Sequence, residues 1–271
     1  MARIVEPPRG ALPDAWASNG CFETMRAYGG RIFRLEDHLD RLYASATYLG
    51  TQAPTDRRRF ARQLKDALMR SRLKEVVVRV AWIPQQGGPA RPHIVVQPVP
   101  RPPASDYRVG VRIAVVPARK FAVGSIDPQA KYSARASSVL AVQDAQLRRV
   151  DEALFMDAMG SVTESTASNL GIVSHRVILT PPCWLGLLAG ITRDVLFELA
   201  DDLGLAIQEI PLTRHDLYNA EEAFLTSTLK EVMPVTWIDG RKIGPGRPGP
   251  VTKMLHRAFH RLVRVELRMG E

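Results

Sequence analysis

The sequence predicts a two-domain chain of mixed α+β or α/β class, and three observations support this prediction. The 271 residues exceed the usual size of a single domain. Short alternating apolar segments and amphipathic helical segments follow one another along both halves of the chain. Between the halves, residues 119–130 are rich in Gly, Ser and Pro, which is typical of a connection. We therefore expect a small N-terminal α+β domain (1–120), an interdomain loop (121–130) and a larger β-rich domain with helices (131–271).

The first predicted domain begins with a β-hairpin and continues with two helices. "CFETMRAY" and "RIFRL" lie on either side of Gly29 and Gly30, a dipeptide that favours a tight turn. Apolar residues at helical spacing predict a helix over 35–49, which Gly50 ends, and a second helix over 56–72. "EVVVRVAWI" and "HIVVQPV" predict paired strands, and "RVGVRIAVV" predicts the last strand of this domain.

The second predicted domain alternates strands with helices. A helix is expected over 132–149, followed by the strand, turn and returning strand of "DEALFMDAMGSVTES". "SNLGIVS", "RVILTPP" and "EAFLTSTLKEVMPVTWIDG" predict further strands. "GITRDVLFELADDLG" predicts a helix that Thr192 opens and Gly204 closes, and "GPVTKMLHRAFHRLVRVEL" predicts the final helix.

Composition and charge narrow the class of protein. Apolar residues make up 45% and charged residues 24%, as in ordinary soluble globular proteins. The net charge of +9 raises the alternative of a nucleic-acid-binding protein, which would use the basic stripe of the final helix. Because that stripe lies opposite apolar residues, we interpret it as a solvated face and expect no nucleic-acid partner. Two cysteines, no leader-like start and no membrane-length apolar run predict a cytoplasmic protein with no membrane partner.

The six histidines do not suggest a metal site. Only His256 and His260 fall four residues apart on one predicted helix. Neither a cysteine nor a carboxylate flanks this pair on that face of the helix. We therefore interpret both histidines as surface residues and expect no bound metal.

Several isolated polar residues indicate a cofactor instead. Lys131 stands without a neighbouring acid in "IDPQAKYSARASS", and Glu164 is the only charged residue in "GSVTESTASN". Thr192 opens a helix whose free N–H groups could hold a phosphate, although a simple N-cap is an equal alternative. Thr228 belongs to a hydroxyl cluster after a strand, and Arg41 lies on the polar side of a helix. A lysine, an acid and phosphate-type sites together predict pyridoxal 5'-phosphate (PLP), which binds covalently to lysine.

The order of the motifs resembles the fold-type IV PLP enzymes: branched-chain aminotransferases, D-amino acid aminotransferases and aminodeoxychorismate lyases. The resemblance is carried by "CFETMRAYGGRIFRLEDHLDRLYAS", "DEALFMDAMGSVTESTASNLGIV", "LAGITRDVL" and "FLTSTLKEVMPVTWIDGRKIGPGRPGPVT". It covers nearly the whole chain and implies a two-domain, D-amino acid aminotransferase-like fold whose larger domain binds PLP. The last two blocks are most similar to the branched-chain enzymes.

The resemblance also implies roles for the residues that match the family motifs. Lys131 matches the Schiff-base lysine, which also moves a proton between the substrate α-carbon and the cofactor carbon C4′. Glu164 matches the acid that pairs with the pyridine nitrogen. The other implied cofactor-binding positions are the phosphate ligands Arg41, Ile191, Thr192 and Thr228, together with Ser227 and Asn169.

The positions implied on the substrate side depart in part from the branched-chain pattern. Phe22 matches a pocket-lining position, and Arg79 matches an arginine near the substrate, with a structural role as its alternative. Ala136 stands where the branched-chain enzymes carry a tyrosine, and Ala17 replaces a second expected tyrosine. We interpret Arg135, next to Ala136, as a substitute donor to the phenolic oxygen of the cofactor. These departures leave the amino donor and acceptor open.

Two enzymatic reactions are compatible with this set of residues. The first is transamination between an amino acid and a 2-oxo acid, and the second is elimination from 4-amino-4-deoxychorismate by a PLP-dependent lyase. Both reactions need Lys131, so the residues alone do not separate them. The C-terminal blocks favour the transaminase. The resemblance further implies a homodimer with its site near the subunit interface.

Overall fold

The computed structural model describes residues 3–4, 20–54, 56–85, 87–100, 104–118, 126–133 and 136–268. Contacts between Cα atoms divide the chain into two compact units. The first comprises Met1–Pro100, Ala130–Arg135 and Val263–Glu271, and the second comprises Arg101–Gln129 and Ala136–Leu262. This division differs from the predicted domain boundaries for residues 101–120, 131–135 and 263–271.

The first unit contains a five-stranded sheet in the order β1-β5-β4-β2-β3. Its strands are β1 (Arg3–Ile4), β2 (Cys21–Tyr28), β3 (Arg31–Ile32), β4 (Val76–Gln85) and β5 (Gly88–Pro98). All pairings are antiparallel except that of β1 with β5. Gly29 and Gly30 have φ angles of 56° and 80°, which a tight hairpin turn between β2 and β3 requires. The predicted hairpin and the predicted strand pair β4–β5 are therefore confirmed.

Two helices, α1 (Leu35–Tyr48) and α2 (Arg57–Ser71), pack on one face of this sheet. Leu39 and Leu42 of α1 are fully buried, as their helical spacing predicts. Trp82 of β4 is also fully buried, and its ring meets those of Tyr43 and Phe60 at centroid distances of 4.7 and 5.2 Å. The helices predicted over 35–49 and 56–72 are thus confirmed, and their apolar faces form the core of the first unit.

The second unit contains a nine-stranded sheet in the order β11-β10-β9-β12-β13-β6-β7-β8, with β14 paired to β13. Its strands are β6 (Val111–Val115), β7 (Glu152–Met156), β8 (Val162–Ser165), β9 (Asn169–Ser174), β10 (Val177–Thr180), β11 (Ile207–Glu209), β12 (Glu222–Ser227), β13 (Glu231–Ile238) and β14 (Arg241–Lys242). Because β8 also pairs with β9, the six strands from β9 through β12, β13, β6 and β7 to β8 form a closed ring of pairings.

The helices of the second unit are mostly short. They are α3 (Ala104–Val109), α4 (Ala136–Leu147), α5 (Ile191–Asp202), α6 (Arg214–Asn219) and α7 (Pro250–Glu266, whose last residues are assigned to the first unit), with a 3₁₀ turn at Cys183–Leu185. The apolar core of the unit includes residues of β6, β7, β9, β12 and β13. None of the helices among the described residues is both long and apolar enough to cross a membrane.

Two predicted elements differ from the structure, one in the sheet to which it belongs and one in the residue at which it begins. The strand of "RVGVRIAVV" is β6, which pairs with β13 and β7 of the second sheet and therefore does not complete the first domain. The helix expected from residue 132 begins at Ala136. Its predicted start is wrong because Tyr132 is extended and forms a bridge with Cys21, and Ser133 N–H donates to the Gly20 carbonyl at 2.9 Å.

Candidate active site

Lys131 lies in an extended segment that the first unit holds through the backbone. The Phe22 N–H donates to the Lys131 carbonyl at 3.0 Å. The Lys131 N–H donates to the Ser45 hydroxyl of α1, also at 3.0 Å. Because both backbone groups of Lys131 form hydrogen bonds, the root of its side chain is fixed on β2 and α1.

Phe22, predicted to line the pocket, is next to the Lys131 side chain. The Lys131 amine Nζ lies 4.9 Å from the centroid of the Phe22 ring, within the range of a cation–π contact. The ring also packs against Ala81 of β4, as does Ile83. The structure therefore brings the predicted anchor lysine and this apolar wall together.

A buried charged network lies beside this segment. Arg41 donates from Nε and Nη2 to the two carboxylate oxygens of Glu23, at 2.6 and 3.0 Å. His38 Nδ1 lies 2.8 Å from Glu23 Oε2. Ser45 donates its hydroxyl to the Arg41 carbonyl at 2.7 Å and accepts from Lys131, so it connects the backbones of Arg41 and Lys131.

The network holds Glu23 charged and His38 neutral. Burial opposes a charge on Glu23, but the positive charge of Arg41 and the contact with His38 outweigh it and keep the pKa of Glu23 well below its ordinary value. Burial lowers the pKa of His38, and the charges of Arg41 and Lys131 act in the same direction, against the raising effect of Glu23. Since a carboxylate can only accept, a neutral His38 donates its Nδ1 proton to Glu23.

Glu23 is a residue that the sequence analysis missed. It is fully buried on the same side of β2 as Cys21 and Met25. The alternation of "CFETM" therefore puts an acid in the core-facing row of the strand, which is a signal that a cationic partner is needed. His38 and Arg41 of α1 are the partners.

Arg79 lies in β4 opposite Thr24 of β2, and Ala81 lies opposite Phe22. These residues share one face of the sheet because directly paired and alternate residues point the same way. The Nε atom of Arg79 is buried and has no hydrogen-bond partner among the described residues. Burial lowers the pKa of this guanidinium. Arg79 and Phe22 are thus neighbours on a sheet face opposite the helices.

In the second unit, Glu164 and Asn169 face each other across paired strands. Glu164 of β8 pairs with Asn169 of β9, which in turn pairs with Thr226 of β12. Glu164 is 8% exposed, and its Oε2 accepts from Asn169 Nδ2 at 3.2 Å and from the Leu188 N–H at 3.1 Å. The carboxylate is therefore held by neutral donors.

The loop that precedes α5 is tied to both of these residues and to Gln129. Asn169 Nδ2 also donates to the Leu188 carbonyl at 2.9 Å. Gln129 donates to the Leu187 carbonyl at 2.7 Å and accepts from the Ala189 N–H at 3.2 Å. Gln129 was missed in the sequence analysis, and only its place two residues before Lys131 could have drawn attention to it. A Cβ atom at Gly190 would lie 2.0 Å from Asn169 Oδ1, so only glycine fits this contact.

The phosphate-type positions lie at the start of α5 and the end of β12. Gly190 is the N-cap of α5, without a capping side chain, so Thr192 is the second helical residue and its alternative interpretation as an N-cap is wrong. The first N–H groups of a helix favour an anion. Ser227 and Thr228 directly follow Thr226, the partner of Asn169, and Ser227 Oγ accepts from the Lys230 N–H at 3.2 Å.

The chemistry of these donors fits PLP. The second unit groups the acid Glu164 with a helix start and hydroxyl side chains, and the first unit groups the amine of Lys131 with the guanidinium of Arg41. Gly190, the N-cap of α5, has no side chain to cap the helix, so its first N–H groups can donate to a phosphate. Arg135, Ala17 and the side chain of Ala136 lie outside the described residues, as do residues 121–125 of the predicted loop.

Comparison with known proteins gives consistent matches along the chain. A family model for class IV amino-transferases matches residues 20–238. A Methanocaldococcus jannaschii protein provisionally named as a branched-chain-amino-acid aminotransferase is 37% identical over 250 residues, which cover 89% of this chain and 86% of that protein. A Bacillus licheniformis D-alanine aminotransferase is 32% identical over 249 residues, which cover 89% of this chain and 86% of that protein.

A solved structure confirms the predicted architecture. The T.th. branched-chain amino acid aminotransferase, in complex with N-(5'-phosphopyridoxyl)-L-glutamate, matches this chain with a TM-score of 0.86 at 30% identity. The match covers 95% of this chain and 91% of that one. The fold-type IV architecture expected from the motifs is therefore correct.

Proposed function

This chain belongs to the class IV aminotransferases, which use PLP to move an amino group between an amino acid and a 2-oxo acid, and we propose that it acts on amino acids with branched apolar side chains. One observation carries the proposal: the centroid of the Phe22 ring, which packs against Ala81, lies 4.9 Å from the Lys131 amine. An apolar wall beside the reacting amine favours an apolar substrate side chain. The relatives also favour transamination over the elimination reaction of a lyase.

We assign the binding of PLP to the residues that the sequence analysis predicted. When bound, PLP supplies an aldehyde carbon for a lysine amine and a heterocycle that withdraws electrons from the substrate α-carbon. The residues that hold it are Lys131, Glu164, Asn169, Arg41, Ile191, Thr192, Ser227 and Thr228. The N–H groups at the start of α5 and the hydroxyls after β12 bind the phosphate, since both kinds of group donate to an anion.

Lys131 also acts as the proton-transfer residue in this proposal. With PLP bound, the Lys131 Nζ would be the base that takes the proton from the α-carbon of the substrate and gives it up again to complete the transfer. The backbone hydrogen bonds to Phe22 and Ser45 keep the root of the side chain in place while its amine moves. The Phe22 ring covers one side of the amine and limits its contact with water.

With PLP bound, Glu164 would help to keep its heterocycle nitrogen protonated. A carboxylate that stays ionised holds a proton on a facing nitrogen by charge attraction. Asn169 Nδ2 and the Leu188 N–H orient Glu164 by donating to Oε2. These two donors thus position the acid.

Arg79 is the residue that we assign to a substrate carboxylate. Its guanidinium lies on the same sheet face as Phe22, and its buried Nε has no partner among the described residues. A guanidinium is suited to a carboxylate because its parallel N–H groups match the two oxygens. We also propose that Arg135 donates a hydrogen bond to the phenolic oxygen of PLP.

We further propose that the enzyme is a cytoplasmic homodimer. The two cysteines, Cys21 and Cys183, are free thiols, which suits a reducing compartment. Burial raises the pKa of the Cys21 thiol to about 12, so this residue is unreactive. Size-exclusion chromatography with light scattering tests the dimer, and a monomer that is active at assay concentration would contradict it.

An amino-donor panel tests the proposed substrate class. Untagged PLP-loaded enzyme is mixed with L-leucine, L-valine, L-isoleucine or D-alanine, and the visible band of the cofactor is followed as it converts to the pyridoxamine form. We expect the three branched L-amino acids to convert the band at least about 100-fold faster than D-alanine, since a fitted pocket discriminates by this order. Faster conversion by D-alanine would overturn the assignment.

The same enzyme distinguishes transaminase from lyase. With 4-amino-4-deoxychorismate as the only substrate, we expect no pyruvate, which a lactate dehydrogenase assay would detect. Pyruvate release without conversion of the band by any amino acid would show that the elimination reaction is the function.

A further inference from the structure

We propose that Glu231, His256 and His260 form a Zn²⁺-binding site in the second unit. None of these residues is among those assigned to PLP or to the substrate. Glu231 is the first residue of β13, and the two histidines lie one turn apart on α7. The three side chains direct one ligand atom each to a common point, with all three atoms within 4.8 Å of one another.

The spacing of the ligand atoms is that of a tetrahedral ion. His260 Nε2 lies 3.0 Å from Glu231 Oε2, His256 Nε2 lies 3.5 Å from the same oxygen, and the two Nε2 atoms are 3.1 Å apart. Two ligands that each lie about 2.0–2.1 Å from zinc at a tetrahedral angle are about 3.3 Å apart. The observed distances fall on both sides of this value, so small adjustments would bring all three atoms into coordination.

The donor set selects the type of metal. Two imidazole nitrogens and one carboxylate oxygen are ligands that zinc prefers, whereas Ca²⁺ and Mg²⁺ prefer oxygen alone. Three protein ligands leave a fourth position, which a water molecule takes in sites of this type. His260 is the most exposed of the three, with 46% of its side chain accessible, and provides the route of entry for the ion.

The charge at the cluster also favours a cation. The Glu231 carboxylate is 3% exposed, so water would screen its attraction to a bound divalent ion only weakly. Two Nε2 atoms 3.1 Å apart cannot both carry a proton without repulsion, so at least one directs a lone pair at the same point as the carboxylate. A single divalent ion satisfies all three atoms together.

Tyr107 contacts both segments that carry the proposed ligands, α7 and the start of β13. Its ring stacks on His256 with centroids 4.7 Å apart and an interplanar angle of 23°. Its hydroxyl donates to the carbonyl of Lys230, the residue before Glu231, at 3.1 Å. Contacts of this kind behind the ligands set the orientation of a metal-binding ring.

The proposed ion would connect α7 to the start of β13. Glu231 has a φ angle of 54°, a left-handed conformation that is uncommon for a residue other than glycine. That conformation directs the carboxylate at the helix, and a bound ion would hold both elements in place. The sequence shows no carboxylate on this face of the helix because the acid is 25 positions before His256 in the chain and reaches both histidines only through the fold.

Zinc binding by the untagged, PLP-loaded enzyme tests the proposal. The enzyme is dialysed against Zn²⁺, and bound zinc and bound PLP are measured on the same samples for the wild type, His256→Ala, His260→Ala and His215→Ala. His215 is an exposed histidine of α6 and serves as the matched control. We expect the wild type and His215→Ala to bind one more zinc per chain than the other two variants, whose affinity falls at least about tenfold.

Two further measurements use the same proteins. Co²⁺ in place of zinc should give the ligand-field absorption of a four-coordinate ion, at longer wavelength than the cofactor band, in the wild type and in His215→Ala but not in His260→Ala. Zn²⁺ should raise the Tm of the wild type and leave that of His260→Ala unchanged, because an ion that binds only the folded state stabilises it. Equal zinc content in the wild type and both ligand variants, or equal loss in His215→Ala, would overturn the site.

Discussion

The two units position their predicted site residues by different kinds of interaction. In the first unit, Glu23, His38 and Arg41 form a fully or nearly buried charged network, and Ser45 connects it to the Lys131 backbone. In the second unit, Glu164 is held by the amide of Asn169 and a backbone N–H, which are neutral donors.

This difference predicts different responses to mutation and to pH. Removal of one partner from a buried charge pair leaves an uncompensated charge, which costs several kcal/mol. Loss of one neutral hydrogen bond costs about 1 kcal/mol unless a buried group is left unsatisfied. Changes in the Glu23 network should therefore affect stability, and changes at Glu164 should affect catalysis.

The largest effect is expected from Lys131→Ala. The variant loses the proposed covalent anchor and the proton-transfer amine together, so turnover should fall by at least about 10⁴-fold. The visible band of the bound cofactor, measured by absorbance, should disappear. Lys65→Ala, at an exposed lysine of α2, is the matched control and should keep both. A Lys131→Ala enzyme that still shows the band would remove Lys131 from its role.

Glu164→Ala should separate catalysis from stability in the second unit. We expect kcat to fall about 10²–10³-fold, the usual consequence of removing one oriented electrostatic group, while PLP stays bound. Steady-state kinetics with the best amino donor gives kcat, and the visible spectrum reports bound cofactor. Glu198→Ala, at an exposed acid of α5, is the control. An unchanged kcat would exclude Glu164 from the site.

Glu23→Gln should show the opposite behaviour in the first unit. The substitution leaves Arg41 facing a neutral amide in a buried place, and the free energy of unfolding should fall by about 3–5 kcal/mol. Glu36→Gln removes the ion pair between Glu36 and Arg57. Because the Glu36 side chain is 66% exposed, the free energy of unfolding should change by less than about 1 kcal/mol. Urea unfolding of both variants measures this difference. Equal losses of unfolding free energy would show that the buried Glu23 network stabilises the protein no more than an exposed ion pair does.

The smallest effect concerns the pH dependence of stability. The pKa of His38 is lowered from its ordinary value of 6.5, so the unfolded chain binds more protons than the folded chain below that pH. Stability should therefore fall as the pH drops below 6.5, by at most about 1.4 kcal/mol per pH unit from this group. The lowered pKa of Glu23 adds a further loss only below its ordinary value of 4.5.

His38→Gln should flatten this dependence between pH 6.5 and 5, as measured by urea unfolding at several pH values. His215→Gln replaces an exposed histidine and should have the same dependence of unfolding free energy on pH as the wild type. A His38→Gln slope equal to that of the wild type would show that His38 does not titrate as its burial requires.

Much of the fold could be predicted because it depends on local patterns. The apolar spacing of α1 and the Gly29–Gly30 turn each lie within one short segment, and both were located to within a residue or two. The order of several motifs was enough for the family and the cofactor. Strand partners were harder: "RVGVRIAVV" is clearly a strand, but its own residues do not say that it pairs with β13 and β7.

The candidate site was predicted in the same uneven way. Lys131 and Glu164 stood out because each is an isolated charge in a segment of small polar residues. Gln129 did not, because its hydrogen bonds go to residues about 60 positions later in the chain. Nor did the sequence indicate that His38 is only 2% exposed, because Glu23, which binds it, belongs to the adjacent strand.

The sequence by itself determined the elements, the family and the cofactor, because these depend on short-range periodicity and on motifs that keep their order. Only the tertiary structure decided which distant polar groups meet: Glu23 with Arg41, Gln129 with the loop before α5, and Glu231 with His256 and His260. Such contacts depend on strand register and helix packing, which bring together residues that no local spacing relates.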